Sequence, residues 1–187
     1  MRFKIRTLFI SFLFIAIASF DAEAQIYIKI MDGSTWVKGE SPIQQYRDEI
    51  EANSFAQEST NSSTVSGAGG AGAGKVNTGN FVFTMPINLS LITLKKKVNT
   101  GGHLTSVEIK FTKANSRGQV MYYRIKLEDV LIVGLSDVIC ETCDNRMVHQ
   151  VQLNAAKATW EYIPVRTDGT TGQPVSHRFN FAENREF

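Results

Sequence analysis

The chain has 187 residues, 43% hydrophobic and 20% charged, with 20 Lys and Arg against 18 Asp and Glu for a formal net charge of +2. These values describe an ordinary folded domain and exclude a disordered tail, a collagen-like chain, a polytopic membrane protein and a disulfide-dense miniprotein. The near-neutral balance also speaks against nucleic acid as a partner, since phosphate binding shows as a basic excess.

The hydrophobic content is concentrated at the start. Arg2, Lys4 and Arg6 precede an almost unbroken apolar run from Leu8 to Ala18, and Ala22-Glu23-Ala24 supplies a small-x-small pattern. This is the order of a secretory signal peptide, with a core too short to span a bilayer comfortably. Residues 1–24 therefore read as a leader cleaved between Ala24 and Gln25, and residues 25–187 as a single domain. Removing 24 of the 187 residues leaves 163, with a net charge of +1. That is long enough for one core without staples, and no stable membrane insertion of the mature chain is expected.

Ile26, Ile28 and Ile30 alternate with Tyr27 and Lys29 before Asp32-Gly33, a strand and a turn. Ile50 to Phe55 reads as a second strand. Residues 57–75 are Gly/Ser-rich, without aromatic or large aliphatic residues except Val65, and read as an extended loop with nothing to pack in isolation. Phe81 and Phe83 resume the alternation. Ile87, Leu91, Leu94 and Val98 then recur at helical spacing, so a short helix is expected over about 87–98, with Pro86 at its start and Gly101-Gly102 as its stop.

Beyond the helix the pattern returns to period two. Val107, Ile109 and Phe111 share a face. Met121, Tyr123, Ile125, Leu127, Leu131, Val133 and Leu135 share another, opposite Arg124, Lys126 and Glu128. Val148 to Ile163 sets Val151, Leu153 and Ala155 against Gln150, Gln152 and Asn154, and Val175 to Phe181 reads as a closing strand. The fold expected is mainly β, an antiparallel two-sheet barrel or sandwich with one short helix over an opening.

Two motifs invite chemistry. Gly69 to Lys75 matches the first seven places of the phosphate-binding loop G-x-x-x-x-G-K-[ST], but Val76 stands where the magnesium-binding hydroxyl is needed. The motif should follow a buried strand and open a helix, whereas a polar stretch precedes it and a β-pattern follows. Cys140-Glu-Thr-Cys143 lacks the βαβ setting of a redox site and the further ligands of a zinc site. Export favours a loop-tightening disulfide, with two free thiols as the alternative. His103, His149 and His177 show no ligand spacing and read as strand-end or surface residues. No nucleophile elbow or acid/base pair stands out. The expectation is a non-enzymatic protein without catalytic residues, cofactor or metal.

The segments taken in order resemble the haemolysin-coregulated protein family, the tube protein of type VI secretion. The residues that carry the likeness are Ile26-Tyr-Ile-Lys-Ile30, Lys38-Gly-Glu-Ser41, Gly72-Ala-Gly-Lys-Val76, Phe81-Val-Phe-Thr84 and Gly101-Gly-His103. Ile125 to Leu131, Ala158 to Pro164 and Asp168 to Asn180 continue the series. The resemblance implies a two-sheet barrel assembled as homohexameric rings that stack into a hollow tube, itself released or carrying effector cargo in the lumen. Partners would be other copies of the chain and secretion-tip, sheath or effector proteins. Contact with an adjacent ring would fall on Ser62, Gly67, Gly69, Gly70, Gly72, Gly74 and Lys75. Family members generally lack a cleaved leader. The leader here implies a secreted or periplasmic protein, or a cytoplasmic one before firing if it is not cleaved. The alternative is an exported monomeric binding module on the same barrel.

Overall fold

Alternation of apolar and polar residues drives nearly every element of the computed structural model, which describes residues 24–61, 76–115, 118–140 and 145–187. The first elements are strands β1 (Gln25–Asp32) and β2 (Thr35–Val37), a 3₁₀ turn (Gln44–Tyr46), and strands β3 (Ile50–Ala52), β4 (Ser54–Ala56), β5 (Ser59–Asn61), β6 (Val76–Thr78) and β7 (Phe81–Pro86). Helix α1 (Ser90–Thr100) follows. Then come β8 (His103–Asn115), β9 (Gly118–Cys140), β10 (Arg146–Tyr162), β11 (Val175–Asn180) and β12 (Arg185–Glu186).

All pairings are antiparallel, and the main sheet closes on itself. β1 pairs with β8, β8 with β9, β9 with β10, and β10 with β7. β3 and β4 form one bent segment that completes the circle. Ile50–Ala52 pairs with β1, and after Asn53 the next three residues pair with β7. The Asn53 N–H itself donates to the Thr84 carbonyl at 2.7 Å. The barrel with one helix expected from the strand pattern is thus the fold observed, with the single strand read over 50–55 split between two partners.

Ile28, Ile30, Phe81, Phe83, Met85, Leu104, Ile109 and Leu127 fill the interior, and Leu91 and Leu94 of α1 join them. The helix begins later than its spacing implies. Pro86 belongs to β7, opposite Val148, and Ile87 lies outside the helix with 66% of its surface exposed. Asn88 instead accepts hydrogen bonds from the Ser90 N–H (3.0 Å) and hydroxyl (2.6 Å), capping the first turn. At the other end Gly101 takes φ 64°, and it and Gly102 donate to the Lys97 carbonyl.

The long strands hold a second departure. Ile125 and Leu127 are buried, but the next buried positions are Val130 and Ile132; Val133 is exposed and Leu131 only half-buried. One face over 121–135 is therefore not what forms. Asp129, at φ 50°, shifts the alternation by one, and its neighbours shift in step. Leu104 is followed by Val107 in β8, and Ala155 by Ala158 in β10. Because Leu104 pairs with Val130 and Val130 with Ala155, the three shifts lie side by side and make a corner across the sheet. An irregularity between Gln152 and Leu153, opposite Val133 and Gly134, resets the phase so that Leu135 packs on the core again.

Residues 38–49 fold back over the outer face of β1. Gly39 and Ser41 donate their N–H groups to the Asp48 and Glu49 carbonyls at 2.7 and 3.0 Å. Tyr46 stacks on Tyr27 with ring centroids 4.2 Å apart, and Glu49 pairs with Lys110 at 2.5 Å. Burial, the carboxylates of Glu51 and Glu49, and Tyr46 push the Tyr27 hydroxyl up from 10.0 to about 12.

A Cβ at Gly39 would overlap the Glu49 main chain. Gly39→Ala is therefore expected to cost about 1–3 kcal/mol in urea unfolding. Gly33→Ala meets nothing within 4 Å but must hold φ 61°, so about 1–2 kcal/mol of left-handed backbone strain is expected there without a clash. Alkaline unfolding tests Tyr27. Above pH 10 the unfolded tyrosine ionises while the folded one stays neutral until about 12, so stability falls as pH climbs through that window. Tyr27→Phe should flatten this limb, at a loss of about 1 kcal/mol at neutral pH for the hydrogen bond its hydroxyl donates to Gln25.

Candidate assembly surfaces

Ser, Thr and Asn at 59–61 and 76–78 supply no large apolar side chain to bind the barrel, apart from Val76. β5 and β6 accordingly pair only with each other, Ser59 with Thr78 and Asn61 with Val76, as a separate two-stranded sheet. Its root is tied at Gly79, whose N–H donates to the Glu58 carbonyl at 2.8 Å, and by Gln57, whose amide reaches the Ser59 hydroxyl at 2.6 Å. The loop residues expected to contact another ring, Ser62, Gly67, Gly69, Gly70, Gly72, Gly74 and Lys75, lie between these strands and outside the described residues. The arm is the stalk that carries them.

A second surface lies where β10 begins. Ile87, Leu89 and Ile92 around the start of α1 are 66%, 69% and 73% exposed, and Val138, Ile139 and Met147 of the β9–β10 hairpin are exposed too. The hairpin pairs with the end of β7 through Val148 and Pro86 and contacts α1 through Lys95 and Asp137 at 3.1 Å, so these apolar groups belong to one end of the molecule. Asp137 also accepts a bond from His149 Nδ1 at 2.7 Å. Lys95 and His149 together hold the Asp137 carboxyl below the usual range. His149 is buried, contrary to a strand-end or surface position. Its register opposite Asp137, not its spacing from other histidines, fixes its environment. His103 and His177 are exposed, beside Asp129 and Glu186.

A third surface lies at the far end of β10. Tyr162 faces Val175, Trp160 faces His177, and Ala158 faces Phe179. Trp160 stacks on His177 at 5.5 Å and meets Phe181 edge-on at 6.1 Å. With Gln57, Ser59 and Thr78 from the arm's root, these rings line a cavity of about 320 Å³. The alternation of Trp160 with Tyr162 and of Val175 with His177 and Phe179 carried a signal for this face, but not for its exposure.

The outer face of β8, β9 and β10 is polar and internally paired. Arg124 meets Glu161 at 2.7 Å and Lys126 meets Glu128 at 2.7 Å. Among the described residues no three His, Cys, Asp or Glu side chains are placed to hold a metal, and no helix is long and apolar enough to cross a membrane. Gln25 is the first residue of β1. Its carbonyl accepts from Thr112 and its side chain from Gln119, so the strand is anchored directly after Ala24. Cys140 closes β9 and is disulfide-bonded; Cys143 lies outside the described residues.

A family model described as the type VI secretion system effector Hcp matches residues 27–162. The chain is 32% identical over 160 residues to the protein hcp1 of Pseudomonas aeruginosa, covering 85% of this chain and 96% of that one. Among solved structures, the Hcp1 protein of the E. coli EAEC 042 pathovar is 28% identical with a TM-score of 0.68, over 84% of this chain and 98% of that one. A type six secretion system protein that is 20% identical shares the fold with a TM-score of 0.78, over 88% of this chain and all of the other. A strand order that closes the barrel, a single capped helix and a self-paired arm thus come with a family match spanning most of the barrel: the chain belongs to the Hcp family of type VI secretion proteins.

Proposed function

We propose that residues 25–187 form a non-enzymatic, tube-type subunit that assembles as a homohexameric ring, and that rings stack through the arm. The observation that carries this reading is that β5 and β6 share no strand ladder with the barrel among the described residues. A Ser/Thr/Asn hairpin of this length has marginal stability alone, so another copy supplies its order.

The apolar end formed by Ile87, Leu89, Ile92, Val138, Ile139 and Met147 supports lateral contact. It differs in shape and chemistry from the sheet faces available to meet it on a neighbour. A contact between unlike surfaces is head-to-tail, and it closes as a ring when the rotation per subunit divides a full turn. Tip, sheath and effector proteins would meet the stacked rings, and cargo would travel in the lumen. A leader over 1–24 would send the mature chain to the periplasm or medium; if uncleaved, the protein would stay cytoplasmic until firing. A disulfide between Cys140 and Cys143 would brace the hairpin at the ring contact.

Light scattering on the purified 25–187 chain tests the ring: a hexamer is expected, and a strict monomer at high concentration overturns it. Ile92→Glu puts a charge on a side chain with little packing of its own, and should dissociate the ring while leaving the circular dichroism spectrum and melting temperature near wild type. Deleting 62–75 should leave single rings intact and abolish stacks seen by electron microscopy. N-terminal sequencing of native protein by cell fraction distinguishes a start at Gln25 from one at Met1.

A further inference from the structure

The cavity beneath the arm adjoins an unused sheet edge. β12 pairs with β11 only at Phe179 and Asn180, so Val175, Ser176, His177 and Arg178 have no strand on their outer side among the described residues. An open edge of this kind is a template for another strand. Side chains alternate across it. His177 and Phe179 turn toward the cavity with Trp160, while Arg178 lies on the opposite face beside Thr159.

The two faces ask for different chemistry. On the cavity side the walls are indole, imidazole and phenyl, and the Thr78 hydroxyl is buried there with no hydrogen-bond partner. On the other side Arg178 is exposed and in no ion pair among the described residues; Lys157, on the same face of the neighbouring strand and also without an ion pair there, holds its ammonium 5.5 Å from the centre of the Phe187 ring. Two other cations on the sheet's polar face are matched, Arg124 by Glu161 and Lys126 by Glu128.

We propose that the Val175–Arg178 edge takes up an extended acidic peptide segment by strand addition. Its apolar side chains enter the Trp160, His177, Phe179 and Phe181 cavity, and its alternate carboxylates face Arg178 and Lys157. Main-chain bonds to β11 supply affinity, the cavity selects a bulky apolar side chain, and the cations select against basic sequences. The ligand signature is period two: apolar, acidic, apolar, acidic.

The probe is an acetylated, amidated seven-residue peptide in which four glutamates alternate with valine, phenylalanine and valine. The reporter is Trp160 fluorescence in a Trp36→Phe background. The Trp36 indole N–H has no partner, so that change sacrifices no hydrogen bond. Saturable change below about 1 mM is expected. Arg178→Glu, on an exposed side chain, should weaken binding about tenfold or more, and the same peptide with lysine for glutamate should not bind. Three results overturn the proposal: no saturation at that concentration, equal binding by the lysine peptide, or equal binding by a peptide with methylated main-chain nitrogens. Light scattering on Arg178→Glu separates this from the ring reading. Loss of the hexamer in that variant would mean a second copy occupies the edge, whereas a monomeric wild type that still binds the peptide would overturn the ring alone.

Discussion

The hydrogen bond from the Asn53 N–H to the Thr84 carbonyl sits where one short segment changes partners, and the barrel depends on that exchange. Before Asn53 the segment extends the edge of β1; after it, the edge of β7. Without the exchange both edges would be open, and Phe83, Met85, Ile28 and Ile50 would lose the wall that keeps them from water. Closure satisfies the main chain and seals the apolar interior in one step. It also uses only part of β9 and β10. These strands run 23 and 17 residues, longer than their neighbours, and project past the barrel at both ends. The projecting parts carry the apolar end and the aromatic face. Two of the three surfaces available to other molecules are thus built on what remains of two long strands after the barrel has closed, and the arm is the third.

Most of the barrel was legible because a strand with one buried face must alternate, and slipping by one residue would expose every core side chain. The alternation of Ile26, Ile28 and Ile30 and of Val151, Leu153 and Ala155 reports that constraint. Where the pattern misled, a second constraint overrode it. Ile87 fits the helical spacing, but Pro86 is held in the β7 ladder and Asn88 caps the chain later. Leu131 and Val133 continue the odd-numbered series, but the corner at Asp129 turns them outward. A positive φ at an aspartate is invisible in a list of apolar positions.

The surfaces were less legible than the core, for a physical reason. The composition of 57–75 announced a loop with nothing of its own to pack on; among its described residues Ser59–Asn61 instead pairs as β5 with β6. That Trp160 and Phe179 are only half-buried and His177 exposed could not be read, because an alternating aromatic strand looks the same whether a sheet covers it or not. The meeting of His149 with Asp137 also had no local signature, since the two residues are twelve apart and joined only by the register of β9 against β10. Contacts set by register become visible when pairing is known.

The self-paired arm separates two kinds of selection. β5 and β6 share no ladder with the barrel, so changes in these strands leave the core's unfolding free energy largely untouched. A chain with a faulty arm would fold, pass proteolytic surveillance and accumulate normally, since those processes respond to the population of unfolded protein. If rings form and stack as proposed, its defect would be felt only in the assembly, as one subunit among many identical ones. Sequence drift in the arm would then be policed by partners rather than by stability, leaving it free to change with them.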